Sequence, residues 1–294
     1  MSLQDTFADR LTLERVDRDI FTGICHSGAP LRAYGGQIAA QALMAAGMTV
    51  DDLAREVHSL HGYFLRPGQT QETIVYLVDR PRDGRSFSTR IVRAVQQGET
   101  IFMMTTSFAR PDDGPEHQFS APHPPPPQDV PPSALGWMLA LAPEELDRLN
   151  YPGQSLIDLR VVDADQPVIL KDGRLERMAW VRITEPLPRE RLVDACALTY
   201  LSDLTMVPMA LSPHERDRTR TALQVASIDH AMWFHAPVDP NQWLLFSQDT
   251  PGARHGHGLA RGLFYDTNGL LVASVVQESL MRSVTPPPAP ESDA

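Results

Sequence analysis

The sequence predicts an α+β fold built from two copies of one unit, in which a long antiparallel sheet wraps around a single buried helix. The main observation is a repeat of an aromatic strand that ends at a proline, first at residues 57–67 and again at 227–237. When the two prolines are aligned, Tyr63 matches Trp233, and a similar β-rich run follows each copy. The match is collinear over roughly 50 positions, as expected of an old duplication.

The first copy, residues 1–110, is predicted to contain one helix and several strands. Residues 10–27 alternate well enough for one or two strands. Residues 35–47 start with two glycines, end with a third and carry alanine and other apolar side chains on every side, which is typical of a helix buried all round. Strands are then predicted at about 57–66, 71–79, 85–97 and 99–110, with a hairpin turn at Gln97-Gly98.

Residues 111–133 are rich in proline, which favours an extended linker between the copies. The second copy spans residues 134–284. It is predicted to contain a short helix around 143–149, strands near 155–163 and 177–184, a helix from about 189 to 201, and strands at about 222–235, 242–249, 257–267 and 270–282. Residues 285–294 are predicted to form a disordered tail.

Composition excludes several classes of function. The net charge of −11 argues against nucleic-acid binding, which needs a basic surface. No apolar run reaches the ~20 residues that span a membrane, and no secretory or peroxisomal signal is recognisable, so we expect a cytoplasmic protein without a membrane partner. The two cysteines, Cys25 and Cys196, are too few and too isolated for a disulfide framework or a metal site. We expect no metal and no cofactor.

Six sequence blocks resemble the acyl-CoA thioesterase II family. They occur in the order found in that family and cover nearly the whole chain outside the linker and the tail. The blocks are Tyr34–Gln37, His58–Gly68, Arg82–Arg90, Tyr200–Asp203, Ile228–His235 and Gly269–Glu278. The resemblance implies a double hotdog fold, in which each copy is one hotdog unit and the two units pair through their sheets.

The resemblance also implies hydrolysis of acyl-CoA by an Asp, a Thr and a Gln that together hold and activate a water molecule. Asp203 and Gln277 occupy the first and third positions. At the second position Ser227 replaces the usual threonine, which keeps the hydroxyl but loses the methyl group that restricts χ1. Asp203 is suited to accept the proton of the attacking water, and the other two are suited to orient that water. An aspartate near the C-terminal end of a helix opposes the helix dipole, which argues against a purely structural role.

Five residues are candidates for substrate binding. The glycines at the start of the first helix, Gly35 and Gly36, allow close approach to its N-terminal amides. Arg85, Ser86 and Arg90 offer charge and hydroxyl groups for the phosphates of CoA. By resemblance, the substrate is a medium- to long-chain acyl-CoA, and the chain forms a homodimer or a higher homo-oligomer.

Two other functions remain open. An enoyl-CoA hydratase on the same fold pairs an Asp with a His a few residues downstream, and no histidine closely follows Asp203. A non-catalytic protein that binds and senses acyl-CoA is favoured only by Ser227 at the threonine position. No histidine is expected to act in catalysis; His230 and His235 are five residues apart on a predicted strand and so lie on opposite faces. The repeat aligns Arg90 near Arg261 and places the counterpart of Gln277 near Thr106.

Overall fold

The computed structural model describes residues 6–25, 32–133, 156–163, 168–169, 173–214 and 223–283. The helix expected around 143–149 and the tail expected at 285–294 lie outside these residues. The described part is one antiparallel sheet that curves around two central helices, one from each copy of the repeat. The α+β double hotdog class is therefore confirmed.

The first half contains two helices and six strands: α1 (Phe7–Leu11), β1 (Glu14–Asp17), β2 (Ile20–Ile24), α2 (Gly35–Gly47), β3 (Glu56–Phe64), β4 (Thr73–Asp83), β5 (Phe87–Gln96) and β6 (Glu99–Ala109). The second half contains β7 (Ile157–Val161), β8 (Val168–Ile169), β9 (Leu175–Ile183), α3 (Arg191–Ser202), α4 (Met206–Leu211), β10 (Leu223–Ser227), β11 (Asp229–Phe234), β12 (Leu244–Arg254), β13 (His257–Tyr265) and β14 (Leu271–Ser283).

The strand order shows the duplication directly. Across the sheet it reads β1-β2-β4-β5-β6-β3-β11-β14-β13-β12-β9-β7, with β10 paired to β14 and β8 to β9. The halves join where β3 pairs antiparallel with β11, and in that pair His61 lies opposite Ala231. The repeat aligns these same two residues, so a pseudo-twofold axis passes through the junction. It relates α2 to α3 and each strand along this path to one in the other half.

The two central helices pack against each other inside the sheet. As the alanine-rich sequence predicts, α2 is buried almost all round, with ten of its thirteen residues buried. The segment Arg191–His214 has the length and mean hydropathy of a membrane span, but 89% of its most apolar window is buried in the fold. It is therefore part of the core, because a helix surrounded by protein needs the same apolar composition.

The proline-rich segment 111–133 contains one short 3₁₀ turn, Pro127–Asp129, and lies against the second half. The carbonyl of Pro125 accepts a hydrogen bond from Trp180 Nε1 at 2.9 Å, and Gln118 Nε2 donates to the carbonyl of Gly269 at 2.7 Å. Val130 is buried beside Trp180. The segment is irregular as expected, and it is fixed to the surface of one half.

Two elements of the second half differ from the prediction. The strand expected at 222–235 is divided at Ile228, whose amide donates to Glu278 O and whose carbonyl accepts from Phe64 N. Because of this break, β10 pairs with β14 only, whereas β11 pairs with β14 on one side and with β3 on the other. The short helix α4 was not predicted, because Pro208 falls inside it.

Arg90 does not bind substrate as predicted, because its guanidinium lies inside the protein. It is fully buried and donates to Thr49 Oγ1 at 2.7 Å, to Thr49 O at 3.1 Å and to Asp83 Oδ1 at 2.8 Å. The repeat places Arg90 near Arg261, and the sheet aligns it with the preceding residue, Ala260. Arg90 faces Thr106 across the sheet, just as Ala260 faces Gln277.

We expect Arg90→Ala to lower the free energy of unfolding by about 2–4 kcal/mol, since it leaves buried acceptors on Thr49 unsatisfied. Arg93→Ala is the matched control, because Arg93 lies on the same strand with its side chain exposed and should change stability by less than ~0.5 kcal/mol. Urea unfolding of both variants measures the difference. Equal stability of the two variants would contradict a structural role for Arg90.

Candidate active site

Asp203 lies where the second half meets the first. It caps the C-terminal end of α3, and its side chain reaches the N-terminus of α2. A Cβ atom on Gly35 would lie 2.9 Å from Asp203 Oδ2, and one on Gly36 would lie 2.7 Å from the carbonyl oxygen of Tyr200. Since any larger residue would collide there, the two glycines allow the first turn of α2 to pack directly on the end of α3.

The Asp203 carboxyl group is buried and hydrogen-bonded. Its Oδ1 accepts from the Ser227 hydroxyl at 3.2 Å, and the carboxylate also accepts from the backbone amide of Gly36 and from Gln277. Burial raises the pKa of Asp203, while the positive field of His230 and these hydrogen bonds oppose the rise. The carboxyl group therefore sits where a proton is held more readily than in water, as a base near neutral pH requires.

Ser227 connects Asp203 to Gln277. The break at Ile228 ends β10 at Ser227, and Gln277 lies on the inward face of β14, fully buried. Gln277 Nε2 donates to Ser227 Oγ at 2.9 Å, and the serine hydroxyl in turn donates to Asp203. The structure thus brings together the three residues predicted to be catalytic.

His230 orients the amide of Gln277. Its Nδ1 lies 2.5 Å from Gln277 Oε1, and because that oxygen only accepts, Nδ1 carries the proton. Its Nε2 lies 2.7 Å from the hydroxyl of Ser202, the residue before Asp203. The hydrogen bonds therefore form a chain from Ser202 through His230, Gln277 and Ser227 to Asp203, and the peptide bond between Ser202 and Asp203 closes this chain into a ring. Ser227 is half-buried, and the other four residues of the ring are buried, with His230 only 1% exposed.

Sequence reasoning set His230 aside and so missed this role. His230 and His235 do lie on opposite faces, as predicted: His230 points inward, and His235 points outward to Ser274 Oγ at 2.8 Å. A signal was available, because His230 occupies an inward position of β11 next to the buried Met232. A buried imidazole needs partners on both ring nitrogens.

The residues predicted to bind substrate separate into two groups. Gly35 and Gly36 are at the site, but the amide of Gly36 serves Asp203. Arg85 and Ser86 are exposed in the turn between β4 and β5, which Arg55 ties down through the carbonyls of Gly84 and Arg85. Arg90 anchors that end of the sheet to Thr49, just beyond the C-terminus of α2. The thirteen residues of α2 span about 20 Å. Arg85, Ser86 and Arg90 therefore lie at the end of α2 away from Asp203.

Among the described residues, no group of three or more His, Cys, Asp or Glu side chains could hold a metal ion.

Comparison with known proteins agrees over both halves. The model of the family "Acyl-CoA thioesterase" matches residues 160–280, and that of the "Acyl-CoA thioesterase N-terminal domain" matches residues 26–109. Acyl-CoA thioesterase 2 of Haemophilus influenzae is 35% identical over 274 residues, which cover 92% of this chain and 95% of that protein. This chain belongs to the acyl-CoA thioesterase family.

Relatives of this thioesterase are found in distant organisms. Human acyl-coenzyme A thioesterase 8 is 34% identical, with 92% of this chain and 87% of the human protein covered. The crystal structure of acyl-CoA thioesterase II TesB2 from Mycobacterium marinum is 38% identical, covers 96% of this chain and 99% of its own, and superposes with a TM-score of 0.79. These similarities identify the chain as a thioester hydrolase.

The buried carboxyl group of this thioesterase makes a stability prediction. A carboxyl group whose pKa is raised on folding stabilises the fold below its ordinary pKa of 3.8, and that contribution is lost as the pH rises through the raised value. Asp203→Asn does not titrate. We therefore expect the variant to gain stability relative to wild type as the pH rises above about 4, by about 1.4 kcal/mol for each unit of displacement.

Urea unfolding of Asp203→Asn and wild type at several pH values between 4 and 8 measures this gain. The control is Asp229→Asn, since Asp229 is only half-buried and lies on the same sheet. A stability difference between Asp203→Asn and wild type that stays constant over this range would show that Asp203 titrates as an exposed carboxyl group does.

Proposed function

We propose that this thioesterase hydrolyses acyl-CoA to a free fatty acid and CoA, with Asp203 as the general base. The observation that carries the proposal is the buried Asp203 carboxyl group, held between Ser227 and the first turn of α2 with Gln277 beside it. A water molecule bound next to the carboxyl group would donate to Asp203 and be oriented by the hydroxyl of Ser227 and the amide of Gln277.

In the proposed reaction, this water attacks the thioester carbonyl carbon and gives one proton to Asp203. A C–O bond forms, and the carbonyl oxygen becomes an oxyanion, which the positive end of α2 stabilises. The tetrahedral intermediate then collapses, the C–S bond breaks, and the proton on Asp203 passes to the departing sulfur. One water is consumed, and the products are a carboxylic acid and a thiol.

The proposed acyl chain is medium to long. The chain length rests on the family resemblance; the structure adds apolar side chains beside the site, since Phe64 packs against Gly35 and Met232 Sδ lies 3.2 Å from the hydroxyl of Ser202. Hydrolysis of acyl-CoAs from two to eighteen carbons in length tests the preference.

We also propose self-association. Tyr63, Met103 and Trp233 are 54%, 41% and 36% exposed on the outer face of the central strands, where a second copy of the chain would cover them. Sedimentation velocity distinguishes a monomer from a dimer or a larger assembly.

We expect Asp203→Asn to lower kcat by ~10²-fold or more, because an amide cannot accept the proton of the water. In wild type, kcat should fall on the acid side as the pH passes through the raised pKa of Asp203, because only the ionised form acts as base. Thiol release from a panel of acyl-CoAs measures both effects. A variant with wild-type kcat would exclude Asp203 as the base. If wild type binds acyl-CoA and releases no thiol, the protein is a sensor.

A second prediction concerns His230, which we propose acts by positioning Gln277. His230→Leu should lower kcat by roughly 10–100-fold with little change in KM, because the Gln277 amide is then free to rotate away. His230→Asn should recover part of the loss, since its side chain retains an N–H donor. Melting temperatures of both variants separate this role from general destabilisation. Equal kcat values for the two variants would count against orientation of Gln277.

A further inference from the structure

The first half contains a degenerate counterpart of the catalytic site. Met48 follows α2 as Asp203 follows α3, and the repeat aligns Val57 with Ser227 and Leu60 with His230. Thr106 pairs with Leu60 in the sheet, in the position that Gln277 holds beside His230. The counterparts of Asp203, Ser227, His230 and Gln277 therefore cannot reproduce the chemistry of these four residues.

The described residues form a cavity next to this counterpart position, and Val57 is part of its wall. It has a volume of about 810 Å³ and is formed by the end of α2, the starts of β3 and α3, and the ends of β6 and β11. These are the pseudo-twofold equivalents of the elements that surround Asp203. Phe234, the counterpart of the Phe64 that packs on Gly35, lines its wall together with Val57. The volume is within the range of ligand sites, about 300–1,000 Å³.

The inner wall of the cavity is apolar. The side chains that form it are aliphatic or aromatic and at least half-buried, as a site for an acyl chain requires. They belong to Val50, Val57, Phe108, Leu192, Phe234 and Val238.

The rim of the cavity carries guanidinium groups. Arg110 and Arg191 are 63% and 55% exposed and pair with Asp52 at 2.9 Å and with Glu56 at 3.5 Å. Such exposed pairs contribute only about 0–1 kcal/mol, so a phosphate can replace either acid at little cost. Arg55, also in the rim, holds the turn that carries the exposed Arg85. Four acids share the cavity lining with these arginines, namely Asp52, Glu56, Glu190 and Asp194. The phosphates of a CoA would therefore bind by taking the place of Asp52 and Glu56 at the guanidinium groups, while the acyl chain enters the apolar interior.

We propose that this cavity binds a second acyl-CoA molecule, with the acyl chain inside and the phosphates at the rim, and does not hydrolyse it. The inference rests on the proposed function for the identity of the ligand. Hydrolysis is not expected, because Met48, Val57 and Thr106 replace the residues that hold the water. Asp194 also lines the cavity, but among the described residues no hydroxyl or amide side chain is hydrogen-bonded to it.

Isothermal titration with S-dodecyl-CoA, a thioether that cannot be hydrolysed, tests the proposal on the full-length chain. We expect two molecules bound per wild-type chain. Ala236→Trp fills the cavity from the segment that follows β11, where Ala236 packs on the same side as Phe234, and should reduce the count to one while leaving kcat for dodecanoyl-CoA unchanged. Ala253→Trp is the matched control, since Ala253 is exposed in the β12–β13 hairpin outside the cavity, and it should retain two sites.

The double variant Arg110→Ala/Arg191→Ala provides a second test that does not depend on packing. It should weaken the second site by roughly tenfold or more and reduce the salt dependence of that site alone. One bound molecule per wild-type chain, with hydrolysis intact, would overturn the inference and leave the proposed function standing. Two bound molecules with no thiol release from any acyl-CoA would instead remove the proposed function and retain the second site.

Discussion

The candidate active site depends on the close approach of the N-terminus of α2 to the C-terminal end of α3. The approach is possible only because Gly35 and Gly36 have no side chains, and the hydroxyl of Tyr34 closes it by donating to the carbonyl of Tyr200 at 2.8 Å. A helix N-terminus favours negative charge, and here it meets Asp203 from the other half. The site therefore exists only while the β3–β11 junction holds the two halves in register.

Duplication allows the two halves to divide their tasks. A buried polar ring is a poor source of stability, because each group loses hydration and must find a partner in the fold. The second half carries this ring around Asp203, while the first half has Met48, Val57 and Leu60 at the matching positions. These side chains need no hydrogen-bond partners, and two of them, Val57 and Leu60, are buried in the shared core. The thioesterase thus concentrates these buried polar groups at one end of the helix pair.

The repeat predicted most of the fold, because both hydrophobic alternation and turn residues recur in each copy. The repeat did not predict whether a strand side chain points inward or outward where its alignment is uncertain by one residue. Arg90 aligns with Arg261 only after a one-residue slip, and such a slip moves a strand side chain from the core to the surface. The three catalytic candidates came from the family pattern. The role of His230 did not, since it depends on Gln277, 47 residues away on another strand.

The hydroxyl group of Ser227 has a fixed direction, although serine lacks the methyl group of the threonine usual at this position. A threonine in this place would restrict its χ1 angle through the extra methyl group. Here the hydroxyl accepts from Gln277 and donates to Asp203, so both partners fix the direction of the oxygen. Gln277 in turn cannot rotate, since His230 holds its carbonyl oxygen. The orientation that the methyl group of a threonine would favour is thus supplied to Ser227 by its hydrogen bonds with Gln277 and Asp203 and, through Gln277, by His230.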